Sequence, residues 1–126
     1  MKYDKLPGLW ILLTAYIEAA LWSTSDDEEA GRGEFLDATF GADDLAPETI
    51  QQMEEDCSKF LAENQEDIGS RLHDAGHDFW LTRQGHGCGF WDGDWPEEAG
   101  ERLTSSSKRF GEVDLYVGDD GKIYQG

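Results

Sequence analysis

The sequence predicts an α+β fold in which about three helices pack on a small antiparallel sheet of two hairpins. The first observation is helical periodicity, because apolar residues recur every three to four positions in segments that begin at prolines. The second is that aromatic and β-branched residues fill shorter stretches between glycines, which is typical of hairpins. The resulting order of helix, helix, hairpin, helix, hairpin indicates an α+β layout with an antiparallel sheet.

The chain has the size and composition of one globular domain. Its 126 residues are 38% hydrophobic and 12% aromatic, which suffices for a core. No glycine-, serine- or proline-rich linker divides the chain, so we expect a single domain over residues 1–126. The two cysteines, Cys57 and Cys88, are too few for a disulfide framework, and we expect both to be reduced thiols.

Proline and glycine bound the first two predicted helices. Pro7 opens the first helix, which runs for about 15 residues to Ser23 and should be largely buried because its apolar residues lie nearly all round. The second helix starts near Pro47 and runs to about Ile68, where Gly69 interrupts it.

The C-terminal part of the chain predicts a third helix and a hairpin. The helix begins at Pro96, carries acids in its first turn and bases in its last, as the helix dipole prefers, and ends before Gly111. Residues 113–117 then alternate apolar and polar side chains. An Asp-Gly turn at 120–121 leads into a second strand at 123–124.

The aromatic segment between the second and third helices predicts the other hairpin. Gly76 indicates that no helix continues into this segment. Residues 78–83 and 89–91 are rich in aromatic side chains and predict two short strands joined through residues 85–87. Four aromatic rings are expected to pair across this hairpin and to lie in the core. They are Phe79, Trp80, Phe90 and Trp91.

The charge balance argues against several classes of partner. The 28 acidic and 10 basic residues give a formal net charge of −18. Binding to DNA, RNA or an anionic membrane depends on lysine and arginine, which displace counterions from phosphate. We therefore expect no direct contact with nucleic acid or with a membrane surface. A surface this acidic suits a protein partner that itself binds nucleic acid.

No stretch of the sequence predicts a membrane span or a secretory signal. The most apolar stretch, residues 9–22, is shorter than the roughly 20 residues that a spanning helix needs, and it contains Glu18. Glu18, Leu21 and Trp22 also lie where a signal peptide would carry small residues for cleavage. We therefore expect a cytosolic protein.

The negative charge is concentrated in the middle of the chain. Residues 26–70 contain fifteen acids and two bases, a net charge of −13, whereas residues 1–25 are neutral and residues 71–126 carry −5. When residues 48–68 are placed on a helix, six carboxylates fall within one arc of about 120°, separate from the apolar arc. They are Glu48, Glu55, Asp56, Glu63, Glu66 and Asp67.

The spacing of these six carboxylates approaches that of phosphates. Six charges along about 28 Å of helix amount to one per ~5 Å, against one per ~3.4 Å along a strand of B-DNA. This favours a surface that imitates nucleic acid and binds a basic partner. The alternative is a solvated face that serves only solubility. Acids that would extend the row, if the fold brings them alongside, are Asp26, Asp27, Glu28, Glu29, Asp43 and Asp44.

An alternative site lies in residues 73–95, which contain all three histidines and Cys88. The spacing of His73 with His77, and of His86 with Cys88, allows a zinc site with four protein ligands. Cys88 with His77 or His86 as its base would suit a thiol enzyme. No CxxC, HExxH, phosphate-loop or serine-elbow motif accompanies these residues. We therefore expect no catalytic residues, no metal and no cofactor.

Four runs of residues are distinctive enough to suggest a family. They are ALWSTSDD at 20–27, HDFWLTRQGHGCGFWD at 77–92, GERLT at 100–104 and DLYVGDDGKIY at 114–124. These runs resemble a family of small acidic proteins encoded by tailed bacteriophages, and the likeness covers most of the chain. The resemblance implies a phage origin and the host cytoplasm, and it implies no catalytic residues. It also implies a small residue such as alanine at the position of Cys88, which argues against a role for that thiol.

A phage origin and this charge together predict an anti-defence binding protein of anti-CRISPR or anti-restriction type. Its carboxylates are expected to pair with lysines and arginines in the nucleic-acid groove of a host complex. One alternative is a small metal- or thiol-dependent enzyme centred on His77, His86 and Cys88. Another is a phage accessory protein with no defence target.

Overall fold

A computed structural model describes residues 7–24, 41–85, 89–90 and 95–126 of the chain. These residues form five α-helices and one antiparallel sheet of two strands, so the described part of the fold is mostly helical. A short 3₁₀ turn at Ala42–Asp44 precedes the second helix. The elements are α1 (Leu9–Ser23), α2 (Pro47–Glu63), α3 (Gln65–Ile68), α4 (Leu72–Gln84), α5 (Glu97–Lys108), β1 (Leu115–Val117) and β2 (Ile123–Gln125).

The predicted arrangement of about three helices on two hairpins is wrong. Residues 78–83, predicted as a strand, lie inside α4, and the described residues contain a single hairpin, formed by β1 and β2. The aromatic residues of this segment favour strands locally, but tertiary packing overrides that preference. The buried positions of α4 follow the helical period of three to four. They are Ala75, Gly76, Phe79, Trp80, Thr82 and Arg83.

Gly76 marks a close contact between two helices and not the end of one. A Cβ atom at this position would lie 2.1 Å from the carbonyl oxygen of Leu12 and 3.0 Å from the Cβ of Ala15. The missing side chain therefore lets α4 pack directly on the backbone of α1. The contact between α1 and α4 is the most extensive helix contact in the described structure. The helix ends at Gln84, and the next residue, Gly85, has a φ of 74°, which is the left-handed conformation that glycine favours.

Several predicted elements agree with the structure. The first helix, the third helix and the C-terminal hairpin lie where the sequence predicts them, as α1, α5 and the β1–β2 pair. In the hairpin, Tyr116 lies opposite Tyr124. The second predicted helix is divided at Asn64 into α2 and α3. The buried Asn64 side chain donates hydrogen bonds to the carbonyl of Phe60 and to the hydroxyl of Ser106, both at 2.8 Å.

Aromatic rings from different helices form the centre of the core. Phe60 of α2 stacks on Phe79 of α4, with ring centroids 4.0 Å apart and planes within 5°. Tyr16 of α1 meets Trp80 of α4 edge to face at 5.3 Å. The predicted core role of Phe79 and Trp80 is thus correct, although they pack between helices and not across a hairpin. Phe90 also lies in this core, whereas Trp91 lies outside the described residues.

The hairpin packs against the start of α2. The carbonyl oxygen of Ile123 accepts hydrogen bonds from the backbone nitrogen of Ala46 and from the hydroxyl of Thr49, each at 3.0 Å. Ile123 is fully buried, and it also forms a parallel bridge with Leu45. These contacts fix the N-terminal end of α2, which carries the first of the predicted acidic residues.

Candidate acidic interface

The six carboxylates predicted for one acidic face divide into two groups of three. Glu48, Glu55 and Glu66 are exposed, and they form no ion pair with any residue in the described part of the chain. The other three each pair with an arginine from the C-terminal half of the sequence. These pairs are Asp56 with Arg83, Glu63 with Arg109 and Asp67 with Arg102. The structure therefore gives half of the predicted row an internal partner.

Asp56 belongs to a buried polar cluster centred on Arg83. Nη1 of Arg83 donates hydrogen bonds to Oδ2 of Asp56 at 2.9 Å and to the hydroxyl of Tyr16 at 2.8 Å. The same guanidinium donates to the backbone carbonyls of Phe110 and Gly111, both at 3.0 Å. Burial raises the pKa of Tyr16 well above its ordinary value, and nearby Arg83 opposes this rise. Tyr16 therefore stays a neutral hydroxyl in this cluster.

Asp67 is held by a two-point contact with Arg102. Nε and Nη2 of the arginine donate to the two carboxylate oxygens at 2.8 and 2.6 Å. These hydrogen bonds lower the pKa of Asp67 below its usual range, and they raise the pKa of Arg102. Glu63 and Arg109 approach to only 3.6 Å with both side chains exposed, so this pair adds little to stability.

The exposed carboxylates of α2 that form no ion pair with a described residue are more widely spaced along the helix axis than phosphates are along a DNA strand. Glu48 and Glu55 lie about 10 Å apart along the helix axis, against ~3.4 Å between phosphates on one strand. Helix α2 alone therefore does not reproduce a phosphate row, and imitation of nucleic acid would need acids from several elements. Exposed acids on other described segments are Glu18, Asp43, Glu66, Asp74, Glu97, Glu98, Glu101, Glu112, Asp114, Asp119 and Asp120.

The acids predicted to extend the row fall into two sets. Residues 26–29, which are Asp26, Asp27, Glu28 and Glu29, lie outside the described residues. Asp43 and Asp44 lie in the 3₁₀ turn that leads into α2. Asp43 is exposed, whereas Oδ2 of Asp44 accepts a hydrogen bond of 2.8 Å from the backbone nitrogen of Gly41.

The alternative histidine site is described only in part. His73 and His77 lie one turn apart on α4, and each approaches a residue of α1. Nε2 of His73 is 3.7 Å from Oε1 of Glu18, and the His77 ring stacks on Trp22 with centroids 5.4 Å apart. Nδ1 of His77 is also 3.4 Å from Oδ1 of Asp78.

The other members of that site, His86 and Cys88, lie outside the described residues. Across the ranges that the structure describes, no three histidine, cysteine, aspartate or glutamate side chains are grouped as metal ligands. The described cysteine, Cys57, is fully buried in the core, and burial raises the pKa of its thiol well above the ordinary value. Buried structural cysteines of this kind are unreactive.

The sequence does not predict that several apolar residues of α1 are exposed. The helix was expected to be largely buried, and most of its apolar side chains are. Trp10, Ile11 and Trp22 nevertheless expose 75%, 50% and 40% of their surface. Because apolar residues surround this helix on all sides, the pattern gives no signal for which of them face solvent.

The chain matches no protein-family model, no curated protein and no solved structure. No helix within the described ranges is both long and apolar enough to cross a membrane.

Proposed function

We propose that the protein is a phage-encoded anti-defence binding protein, of anti-CRISPR or anti-restriction type, that acts in the host cytoplasm. It places exposed carboxylates in the basic groove where a host complex holds nucleic acid. The observation that carries this proposal is the net charge of −18, of which −13 lies in residues 26–70. The phage origin rests on the resemblance of the four sequence runs.

The internal ion pairs add support to this proposal. Each of the four arginines in the described residues lies in an ion pair with a carboxylate of the same chain. These four arginines are therefore largely neutralised and oppose a basic partner little. The remaining acids outnumber the lysines, so the field around the molecule stays negative and attracts lysine- and arginine-rich surfaces.

The exposed trio of Glu48, Glu55 and Glu66 is the centre of the proposed interface. These carboxylates can pair with a partner's cations without breaking an internal contact. Asp56 and Asp67 would first have to release Arg83 and Arg102, which costs stability, so they support the fold behind the interface. The acids at 26–29 are also proposed to contact the partner, because they are charged and lie in the acidic third of the sequence.

The proposed mechanism is occupancy without catalysis. Charge attraction speeds encounter with the basic groove, and the bound protein then excludes nucleic acid. Inhibition should therefore saturate at a fixed molar ratio of this protein to the host complex, because the protein does not turn over. Association should be fast at low salt and should weaken as salt rises, since screening shortens the range of the attraction.

A plating assay tests the proposal in cells. The protein is expressed in bacteria that carry an active CRISPR or restriction system, and the plating efficiency of a targeted phage is measured. We expect plating to recover to the level seen in cells without the defence system. Purified protein should also displace labelled duplex DNA from the purified defence complex. Failure to restore plating and failure to displace DNA at low salt across such systems would contradict the proposal.

A further inference from the structure

Two tyrosines form an exposed aromatic pair on the hairpin. Tyr116 and Tyr124 lie directly opposite each other in the β1–β2 register, and their rings stack with centroids 5.8 Å apart. Side chains alternate between the two faces of a strand, so the buried Leu115 and Ile123 point to the core and the two tyrosines point away from it. Tyr116 exposes 56% of its surface. We call Tyr116 and Tyr124 the tyrosine pair.

Two glycines and one carboxylate fix the rings of the tyrosine pair. A Cβ atom at Gly118 would lie 2.6 Å from the Tyr124 ring, and one at Gly126 would lie 3.1 Å from the Tyr116 ring, so each ring lies close over backbone without a side chain. The Tyr124 hydroxyl also donates a 2.7 Å hydrogen bond to Oδ2 of Asp120. Because the rings are already held in place, they lose little conformational freedom when a partner binds.

The tyrosine pair lies beside Glu48, which belongs to the exposed trio of the proposed interface. The hydroxyl of Thr49 donates a 3.0 Å hydrogen bond to the carbonyl of Ile123, so the residue after Glu48 contacts the residue before Tyr124. The hydrogen bond to Asp120 raises the pKa of Tyr124 to about 12, and the negative charge of Glu48 adds to this rise. The tyrosine pair therefore adjoins the proposed interface.

Building on the proposed function, we propose that the tyrosine pair and Glu48 together bind an arginine side chain of the basic partner. The guanidinium stacks on the exposed face of the tyrosine pair, and the carboxylate of Glu48 pairs with its charge. A guanidinium is flat, so it can lie against an aromatic ring while its edge donates hydrogen bonds to a carboxylate. The compact ammonium of lysine lacks this flat shape, so arginine is the favoured side chain.

The charges around the tyrosine pair select a cation as the occupant. Residues 112–126, all of which the structure describes, contain four acids and one lysine, a net charge of −3. Glu48 forms no ion pair with any residue in the described ranges, so its carboxylate is available. The faces of aromatic rings carry partial negative charge and also attract cations. An anion would be repelled here, and an apolar group would leave Glu48 without a partner.

The same combination of groups occurs within the described structure. The guanidinium of Arg71 lies over the Trp95 ring, 4.0 Å from its centroid. Nε of the same arginine lies 3.2 Å from Oδ2 of Asp74, to which it donates a hydrogen bond. One guanidinium thus contacts an aromatic ring and a carboxylate at once, which is the arrangement proposed for the partner's arginine.

Titration of the purified full-length chain with two short peptides tests the arginine site without any host protein. The peptides are acetylated tri-arginine amide and acetylated tri-lysine amide, which carry equal charge, and nuclear magnetic resonance measures their binding. Attraction to the acidic surface is the same for both peptides, so a difference in affinity reports stacking on a ring. We expect the arginine peptide to bind at least about threefold more tightly and to shift the ring protons of Tyr116.

Three variants identify the ring that is responsible. Tyr116→Val removes the exposed ring, leaves the net charge at −18 and suits a strand, and the two peptides should then bind with nearly equal affinity. Tyr116→Phe keeps the ring and should keep the preference for arginine. Trp10→Gln removes a 75% exposed ring from α1 and should also keep the preference. Circular dichroism checks that all three variants are folded.

Equal affinity of the unmodified chain for the two peptides would overturn the arginine site. A preference for arginine that survives in Tyr116→Val, or that is lost equally in Trp10→Gln, would overturn it as well. The proposed function is measured separately, by plating and by displacement of DNA, and it can stand after any of these results. A Tyr116-dependent preference for arginine in a protein that inhibits no defence system would uphold the arginine site and contradict the proposed function.

Discussion

Nη1 of Arg83 lies 2.9 Å from Oδ2 of Asp56, and this buried ion pair joins α4 to α2. The Arg83 side chain is 5% exposed and that of Asp56 is 14% exposed. The guanidinium also lies over the rings of Phe79 and Phe110, at 5.7 and 5.8 Å from their centroids. An acid that the helical wheel assigns to the outer surface therefore serves the interior of the fold.

Replacing Arg83 should strongly destabilise the protein. In Arg83→Met the carboxylate of Asp56 loses its buried partner, and the carbonyls of Phe110 and Gly111 lose their donor. We expect the free energy of unfolding, measured by urea denaturation, to fall by about 3 kcal/mol or more. The neighbouring exposed substitution Glu55→Gln should change it by less than ~0.5 kcal/mol. Similar losses for the two variants would contradict a structural role for the Arg83–Asp56 pair.

Gly76→Ala tests the close contact between α1 and α4. An added methyl group would meet the carbonyl oxygen of Leu12 at 2.1 Å, so the helices must separate. Alanine favours helix over glycine by about 1 kcal/mol, but overpacking costs about 1–3 kcal/mol and should dominate. We expect a lower melting temperature for Gly76→Ala. Gly41→Ala, where no atom lies within 4 Å of the new methyl group, should leave it almost unchanged. Stabilisation by Gly76→Ala would show that the interface tolerates a side chain there.

The helices and strands that can be predicted from the sequence are those with proline, or an Asp-Gly turn, at their ends. Pro7 and Pro96 precede α1 and α5, Pro47 is the first residue of α2, and the Asp-Gly turn at 120–121 separates β1 from β2. Helix α4 also has residues that favour helix ends, with Asp74 in its first turn and a glycine after its last residue. Its aromatic run nevertheless predicts a strand, because local β-propensity takes no account of the helices that the rings pack against.

The candidate interface is less accessible to sequence reasoning than the fold. The helical wheel correctly separates Met53 and Phe60, which are buried, from Glu48 and Glu55, which are exposed. It has no means to place an arginine from a distant segment beside an acid. Asp56 and Asp67 are separated from their partners by 27 and 35 residues, so only the tertiary fold shows which carboxylates are neutralised.

The Asp67–Arg102 pair should stabilise the protein in a pH-dependent way. Hydrogen bonds from Arg102 lower the pKa of Asp67 in the folded state. Its contribution is therefore present above the unfolded-state pKa of ~3.9, and it is lost as pH falls through the lower folded value. The difference in unfolding free energy between the unmodified chain and Asp67→Asn should be largest near neutral pH and should vanish in strong acid. The same substitution in an Arg102→Met background should show little pH dependence, and a dependence that persists there would exclude this pair as the cause.

A hydrogen bond in the hairpin turn should raise the pH at which Tyr124 titrates. The hydroxyl of Tyr124 donates a 2.7 Å hydrogen bond to Oδ2 of Asp120, which raises the pKa of Tyr124 to about 12. Any stabilisation from this bond is present below the unfolded pKa of ~10 and is lost as pH rises through about 12. In Asp120→Asn the near-ultraviolet absorbance titration of Tyr124 should shift towards pH ~10. Asp119→Asn, one residue away, should leave the titration in place, and equal shifts in both variants would indicate a general charge effect.

In the proposed function, Glu48, Glu55 and Glu66 bind a basic host surface. A test variant replaces Glu48, Glu55 and Glu66 with glutamine, which changes the net charge from −18 to −15. A control variant makes the same change in charge at exposed positions outside α2 and α3. Its substitutions are Glu101→Gln, Glu112→Gln and Asp119→Asn, all at exposed positions.

The deciding measurement is the affinity of each variant for the defence complex that the protein inhibits, obtained by competition with duplex DNA at low and moderate salt. The test variant should bind at least about tenfold more weakly than the unmodified chain and should show a shallower salt dependence. The control should stay within about threefold of the unmodified chain. Equal weakening of the two variants, or unchanged binding of the test variant, would contradict the assignment of recognition to Glu48, Glu55 and Glu66.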